Sequence, residues 1–378
     1  MSRFGNQLKL RHDMKHTLKT AFLSLAAVLT LTACDRNRHT PDPGKIPLSF
    51  TASSQTLPVK ASTDPAITPL SQYCEDFGVW GIARRSSYSP YILWETATGT
   101  PMEKVIAVHE KDANGNDLPT SNFVPTSGAY WIQGYAYSFL AIAPYTGGAE
   151  ILVGEDNIDA ENDVCSFTLD MGPKYPPVEN NETLNPTFDL MGAAAKTEPV
   201  SIASGQGAQN LNFHHLLAQI NINVQLKDPL TGSQLGTVSK VRLQGVDTQL
   251  TYAISCGDDD ALAVDITPID ANPQKEVVFT ADESSAAGFQ QSLNVVPQNI
   301  SDFKMYIDFT LETGTDPIAF TDFFVDIASA PNQPATKLYE RNQVYNWNIT
   351  ISSKAGISFK VSVTPWGEQP VGDEIEIY

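Results

Sequence analysis

Short runs of alternating apolar and polar residues dominate this chain, and sustained helical periodicity is nearly absent. The clearest run is Gln219-Ile-Asn-Ile-Asn-Val-Gln-Leu226, which puts aliphatic side chains on one face and amides on the other. Ahead of it, the pattern predicts strands at 46–51, 76–82, 91–94, 104–109, 130–132, 135–143 and 166–169. Behind it, strands are expected at 238–243, 250–255, 276–280, 293–296, 304–310, 320–327, 343–351 and 357–363. Asn114-Gly115, after the 104–109 run, is the strongest short hairpin-turn signal, since both residues tolerate positive φ. Aromatic and β-branched runs at such spacing predict an all-β chain of sandwich architecture.

Two stretches interrupt the alternation. Residues 52–70 are loop-like, so the first strand, Ile46 to Thr51, is fenced off by loops and easy to detach. Residues 172–210, rich in Pro, Asn, Ser and Gly, read as the connection between an N-terminal domain, 46–187, and a C-terminal domain, 188–378.

The start of the chain carries a different signal. An apolar run from Ala21 to Leu31 follows Lys15 and Lys19 and closes in Leu31-Thr-Ala-Cys34. A basic start, a short apolar stretch and small residues before the cut describe a secretory signal. The run is too short for a membrane span of ~20 residues. Ending at Cys gives it the form of a lipobox, in which the thiol is acylated and the Cys becomes the new N-terminus. This predicts a signal over 1–33, lipidation at Cys34 and a polar tether over 34–45. Met14, directly before Lys15, is an alternative start to Met1.

Charge narrows the partners. The 378 residues hold 43 acidic and 24 basic side chains. Removal of 1–33 takes one acid and five bases, leaving 42 against 19 and a net charge of −23. Such a field repels nucleic acid and anionic lipid. A lipid anchor, and not a basic patch, must therefore hold the protein to a membrane, and one acyl chain alone holds weakly. With Cys34 acylated, Cys74, Cys165 and Cys256 remain, enough for at most one disulfide. Their spacing suits neither zinc nor a redox pair, so they read as small buried hydrophobes.

Candidate chemistry is sparse. His214 and His215 are adjacent, so in a strand they point to opposite faces and do not share a metal. Asp112-Ala-Asn-Gly-Asn-Asp117 lacks Gly and Glu at the places a calcium loop needs them, and reads as a turn. Asp258-Asp-Asp260 reads as a solvated acidic turn. There is no Gly-x-Ser-x-Gly elbow, P-loop or dinucleotide fingerprint. No catalytic residue, metal or cofactor is expected, and the chain is read as a non-enzyme. A surface hydrolase using two carboxylates is the weakest of three readings. Trp80, Trp94 and Trp131 would make a stacking platform if exposed, although core packing is their ordinary use.

Several blocks resemble the fimbrillin family, the subunits of type V pili. They are Asp76-Phe-Gly-Val-Trp80, Tyr130-Trp-Ile132, Tyr137 to Tyr145, Phe188-Asp-Leu-Met-Gly-Ala193, Phe213 to Ile220, Val344 to Thr350 and Ile357 to Trp366. The resemblance implies two tandem β-sandwich domains of transthyretin-like, Greek-key type, exported as a lipoprotein to the outer membrane. It implies other pilus subunits as partners, with host protein or glycan at the surface. In pilin members a trypsin-like protease cuts after a basic residue behind the first strand, and a strand from a neighbouring subunit fills the groove. The matching position is Lys60, with Ala61 as the new N-terminus, and no Arg lies between Arg38 and Arg84. A member that keeps its first strand would suit a base anchor. At the far end Ile375 and Ile377 alternate with Glu374 and Glu376 before Tyr378, as a donated strand or as the last strand of the subunit's own sheet. The alternative function is a non-polymerising surface lipoprotein that binds glycan or host protein.

Overall fold

Alternation becomes strand through most of the chain, linked by turns that include a few three-residue 3-10 segments, with no α-helix among the described residues. The computed structural model describes residues 45–56, 66–94, 102–145, 152–175, 188–201, 207–228, 231–257, 261–269, 272–281, 288–312, 316–329, 333–352 and 356–365. The described residues from Ile46 onward belong to one compact unit.

The first half supplies β1 (Phe50–Thr56), β2 (Ala66–Pro69), β3 (Asp76–Arg84), β4 (Tyr91–Ile92), β5 (Glu103–Ala107) and β6 (Asn122–Pro125). It continues through β7 (Ala136–Ala143), β8 (Leu152–Asp159) and β9 (Val164–Asp170). Next come β10 (Met191–Lys196), β11 (Gln209–His215), β12 (Ala218–Leu226), β13 (Gly236–Asp247) and β14 (Gln249–Cys256). They are followed by β15 (Leu262–Thr267), β16 (Gln274–Thr280), β17 (Phe289–Val295), β18 (Gln298–Asn299) and β19 (Lys304–Leu311). The last four are β20 (Ile318–Val325), β21 (Leu338–Tyr339), β22 (Gln343–Ser352) and β23 (Gly356–Pro365).

The first sheet runs β11-β10-β7-β3-β5-β6-β1, and β1 also pairs with β11. Seven strands thus close into a barrel-like ring, with β2 and β4 on its margin. The all-β class is as expected, but the first sheet closes into a ring where two facing sheets were expected. A second sheet, β15-β14-β9-β8, joins strands from both halves of the chain. The third, β17-β12-β22-β23, and fourth, β16-β13-β19-β20, come wholly from the second half, beside the small pair β18-β21. The expected boundary at 187/188 therefore has strands from both of its sides in the ring and in the second sheet.

Two cores follow from this layout. Phe50, Phe77, Phe123, Phe139, Phe213 and Trp131 fill the ring. Trp80 and Leu140, on its outer surface, join a second core with Phe167, Tyr252, Ile222, Leu243, Met305 and Trp347. Trp80 stacks on Phe167 with ring centres 6.0 Å apart. Because both faces of β3 and β7 are covered, these strands are nearly continuous apolar runs. On β12 only one face is covered, which gives the clean alternation read from the sequence. On its other face Asn221 donates to Asn346 at 2.9 Å and Asn223 to Asn348 at 3.1 Å, across the parallel pair with β22.

Two stretches read as loops are strands. Residues 52–56 extend β1, and 66–69 form β2. Met191-Gly-Ala-Ala-Ala-Lys196, read as connection, is β10, inserted between β7 and β11. Its small residues are what allow it there. Ala193 and Ala195 face the ring interior, Ala194 faces the second core, and a Cβ at Gly192 would come within 3.2 Å of Leu216.

Candidate functional site

The closing strand β1 is the feature to which the functional expectations attach. Along one edge Phe50 to Ser54 pair in parallel with Gln209 to Phe213 of β11. Along the other, Phe50 and Thr51 oppose Phe123 and Asn122 of β6, and Ser53 to Thr56 oppose Pro69 to Ala66 of β2. The segment ahead is also tied down. Leu48 N–H donates to Ala129 O at 2.8 Å, and Trp131 N–H donates to Ile46 O at 3.0 Å. The first strand is thus not fenced off by loops as expected, because 52–56 and 66–69 are themselves paired strand. With backbone bonds on both edges, β1 is an interior strand of a closed sheet.

Its side chains alternate between two environments. Leu48, Phe50, Ala52 and Ser54 point inward and are buried. The Phe50 ring meets Phe77 and Phe139 edge-on, at 5.8 and 5.2 Å between centres. Burying a side chain of this size contributes about 1.5–3 kcal/mol. Outward, Thr51 Oγ1 donates to Asn210 at 3.3 Å and Ser53 Oγ to Asn212 at 3.0 Å, a hydroxyl-to-amide ladder along β11. Ser54 Oγ is buried without a hydrogen-bond partner, a defect that costs about 1–3 kcal/mol. The strand is anchored at its Phe50 end and poorly matched at its Ser54 end.

Neighbouring strands are braced by polar contacts. Glu103, nearly buried on β5, accepts from Thr126 Oγ1 at 2.9 Å and Ser127 N–H at 2.6 Å, which fixes the turn leaving β6. His109 donates from Nδ1 to Leu118 O at 2.8 Å and from Nε2 to Glu75 at 2.5 Å. Both acceptors favour the protonated ring, which raises its pKa above the usual 6.5, through the Leu118 carbonyl first and Glu75 second.

Cys34, Lys60, Ala61, Ile375, Ile377, Tyr378 and the acidic run at 258–260 lie outside the described residues. Lys60 belongs to the 57–65 segment between β1 and β2. His214 and His215 sit on β11 facing opposite ways. His215 is buried, with Nδ1 2.6 Å from Asp189, whereas burial, then Arg341 and His215, depress the pKa of His214. Asp112 accepts from the N–H groups of Asn114 and Asn116 at 2.8 and 2.9 Å, and Lys111 pairs with Asp117 at 2.8 Å, which makes 112–117 a closed turn. Among the described residues no His, Cys, Asp or Glu cluster has the make-up of a metal site. Cys74, Cys165 and Cys256 are thiols, and burial pushes that of Cys74 up to about 12. Trp80, Trp94 and Trp131 are covered, which rules out the stacking platform that exposure would have given them.

The partner strand β11 escaped the sequence reading. Its alternation, Gln209-Asn-Leu-Asn-Phe213, is real, but it emerges from a Ser/Gly/Gln tract that masks where it begins.

Comparison with known proteins follows the same lines. Residues 91–366 match the sequence model of a family described as fimbrillin-like. Among solved structures the chain is similar to a protein of Bacteroides uniformis provisionally assigned to cell adhesion, at 21% identity and a TM-score of 0.49, covering 86% of this chain and 100% of that one. It is also similar to a fimbrial protein of Bacteroides vulgatus, at 14% identity and a TM-score of 0.50, covering 84% and 99%. At 14% identity the likeness to the second concerns the fold alone. No curated protein matches the chain.

Proposed function

The chain belongs to the fimbrillin-like family, and from that premise we propose that it is a structural or adhesive subunit of a cell-surface pilus, assembled by strand exchange. In this reading it is exported to the outer membrane with lipid on Cys34, is cut after Lys60, and receives a neighbour's strand where β1 lay. Its own end, with Ile375, Ile377 and Tyr378, is the strand it donates.

The observation that carries the proposal is the place of β1. It is interior to the ring, yet it precedes every other described strand, so one cut between β1 and β2 severs it from the rest of the sheet. Its departure would bare the facing edges of β11, β6 and β2 together with the pocket of Phe50. An open edge beside an apolar slot is a strong template for an incoming strand. Main-chain bonds would supply affinity, and the alternate pockets would select side chains. Ile375 and Ile377 are two residues apart, the spacing of Leu48, Phe50 and Ala52.

The test is made on cells. Sheared surface material is run in SDS with and without boiling, and each band is sequenced from its N-terminus. A ladder that collapses on boiling to one species beginning at Ala61 is the expected result. A monomer that keeps β1 and an acylated Cys34 would instead leave a base anchor or the non-polymerising surface lipoprotein.

A further inference from the structure

Where β3 ends and β7 begins, the ring carries an exposed aromatic cluster around one arginine. The Arg85 guanidinium carbon lies 5.8 Å from the centre of the Tyr88 ring and 5.6 Å from that of Tyr135. Tyr135 in turn meets Tyr91 edge-on, with centres 5.8 Å apart. Tyr88 is 69% exposed, Tyr91 is 38% exposed, and Ile132, beside Tyr135 in its turn, is 44% exposed. Arg85 is exposed and has no carboxylate at ion-pair distance among the described residues, in a chain with 43 acids for 24 bases. Arg242 makes the opposite case. It also lies over a tyrosine, Tyr306, at 5.1 Å, but it is held by both Glu276 and Asp322.

We propose that Arg85, Tyr88, Tyr91 and Tyr135 form a binding site for an acidic saccharide, a sugar that bears a carboxylate. A guanidinium lying against two rings keeps its N–H edge free, and that edge matches a carboxylate in a two-point contact. The tyrosine faces suit the flat C–H faces of a pyranose, and their hydroxyls suit its rim. An acidic peptide is less well served. Peptides dock along a sheet edge by main-chain bonds, and the strand beside the cluster, β4, has two residues. A polyphosphate would meet the repulsion of the whole acidic chain, whereas a short sugar feels mainly charges within about 8 Å. The site belongs to the ring itself and does not depend on strand exchange, so its failure would leave the pilus reading untouched.

The test is calorimetric titration of the purified chain with trigalacturonate and sialyllactose, with lactose as the neutral control, at low and high salt. Expected are binding of at least one acidic probe, weakening with salt, and little affinity for lactose. Arg85→Gln should cost at least about tenfold in affinity, as the loss of a charge-assisted contact implies. Tyr88→Ala should weaken binding as well, and Arg242→Gln should leave it unchanged. Both cluster side chains are exposed, and unchanged thermal unfolding would show that the variants fold. The proposal is overturned if neither acidic sugar binds, if lactose binds equally, or if Arg85→Gln binds like the parent. It is also overturned if sedimentation shows that Arg85→Gln abolishes self-association, which would make the patch a contact between copies of the chain.

Discussion

The ring and the two sheets of the second half treat their strand edges in opposite ways. In the ring every strand is paired on both sides, and closure depends on β1, the first described strand. The third and fourth sheets stay open, with β17, β23, β16 and β20 at their edges, and depend on the packing of their inner faces. There the last described strand, β23, is an edge that pairs with β22 alone. Loss of β1 would open the ring between β11 and β6, whereas loss of β23 would move the edge of the third sheet to β22. A closed sheet has no edge to offer a partner until a strand is withdrawn. On the proposed pilus reading, the ring is therefore the better place for a removable strand.

The sharpest way to break this comparison is to truncate one core residue from each region. Phe50→Ala should destabilise the intact chain by about 3–5 kcal/mol, and Trp347→Ala, in the second core, by a similar amount. After cleavage between β1 and β2 and release of the strand, only the second loss should persist. Urea unfolding of the intact and stripped proteins separates the two. A loss below about 1 kcal/mol for Phe50→Ala in the intact chain would show that β1 does not close the core.

Glu103→Ala comes next. It leaves the Thr126 hydroxyl and the Ser127 N–H without their acceptor, at a cost of about 1–3 kcal/mol. Hydrogen exchange should rise around the end of β6 and not in the third and fourth sheets. A uniform rise would mean that the two regions unfold as one unit.

Ser54→Ala should do little harm, or stabilise the intact chain by up to about 1 kcal/mol, because it deletes a buried hydroxyl that has no partner. The better-matched strand should also leave more slowly after cleavage. A clear destabilisation would show that this end of β1 fits its slot well.

These contrasts also explain what could be read in advance. Strands covered on one face, such as β12, and long apolar strands, such as β3 and β7, announce themselves by period and composition. The second half of β1, with Ser53 and Ser54, and the Ala-rich β10 do not, since their neighbours and not their own side chains make them strands. The pairing of Thr51 with Asn210 spans 159 positions, which no local pattern encodes. The aromatic site failed for a similar reason. Trp80, Trp94 and Trp131 were the conspicuous rings, and all are covered, whereas Tyr88, Tyr91 and Tyr135 meet only because two turns bring them together.

The smallest expected effect is a difference in pH response between the regions. Beside the ring, His109 is stabilised as the imidazolium by the Leu118 carbonyl and by Glu75, so its pKa is raised on folding. Its contribution is fully present below the ordinary value of 6.5 and disappears as pH rises through the higher folded value. In the fourth sheet burial acts to raise the pKa of Asp308, but the Asp322 N–H at 2.8 Å and Lys240 at 3.1 Å outweigh it and leave it below the ordinary 3.8. That contribution is present above 3.8 and disappears as pH falls through the lower folded value. Solvent screening keeps each below about 1 kcal/mol. Hydrogen exchange followed against pH should thus loosen the 103–125 region on the alkaline side and the 304–325 region in acid. His109→Gln should remove the first change and leave the second, because the two groups lie in different regions and their hydrogen-bond partners differ. If both changes vanished together, the ring and the open sheets would be one cooperative unit, and withdrawal of β1 would threaten the whole subunit rather than one groove.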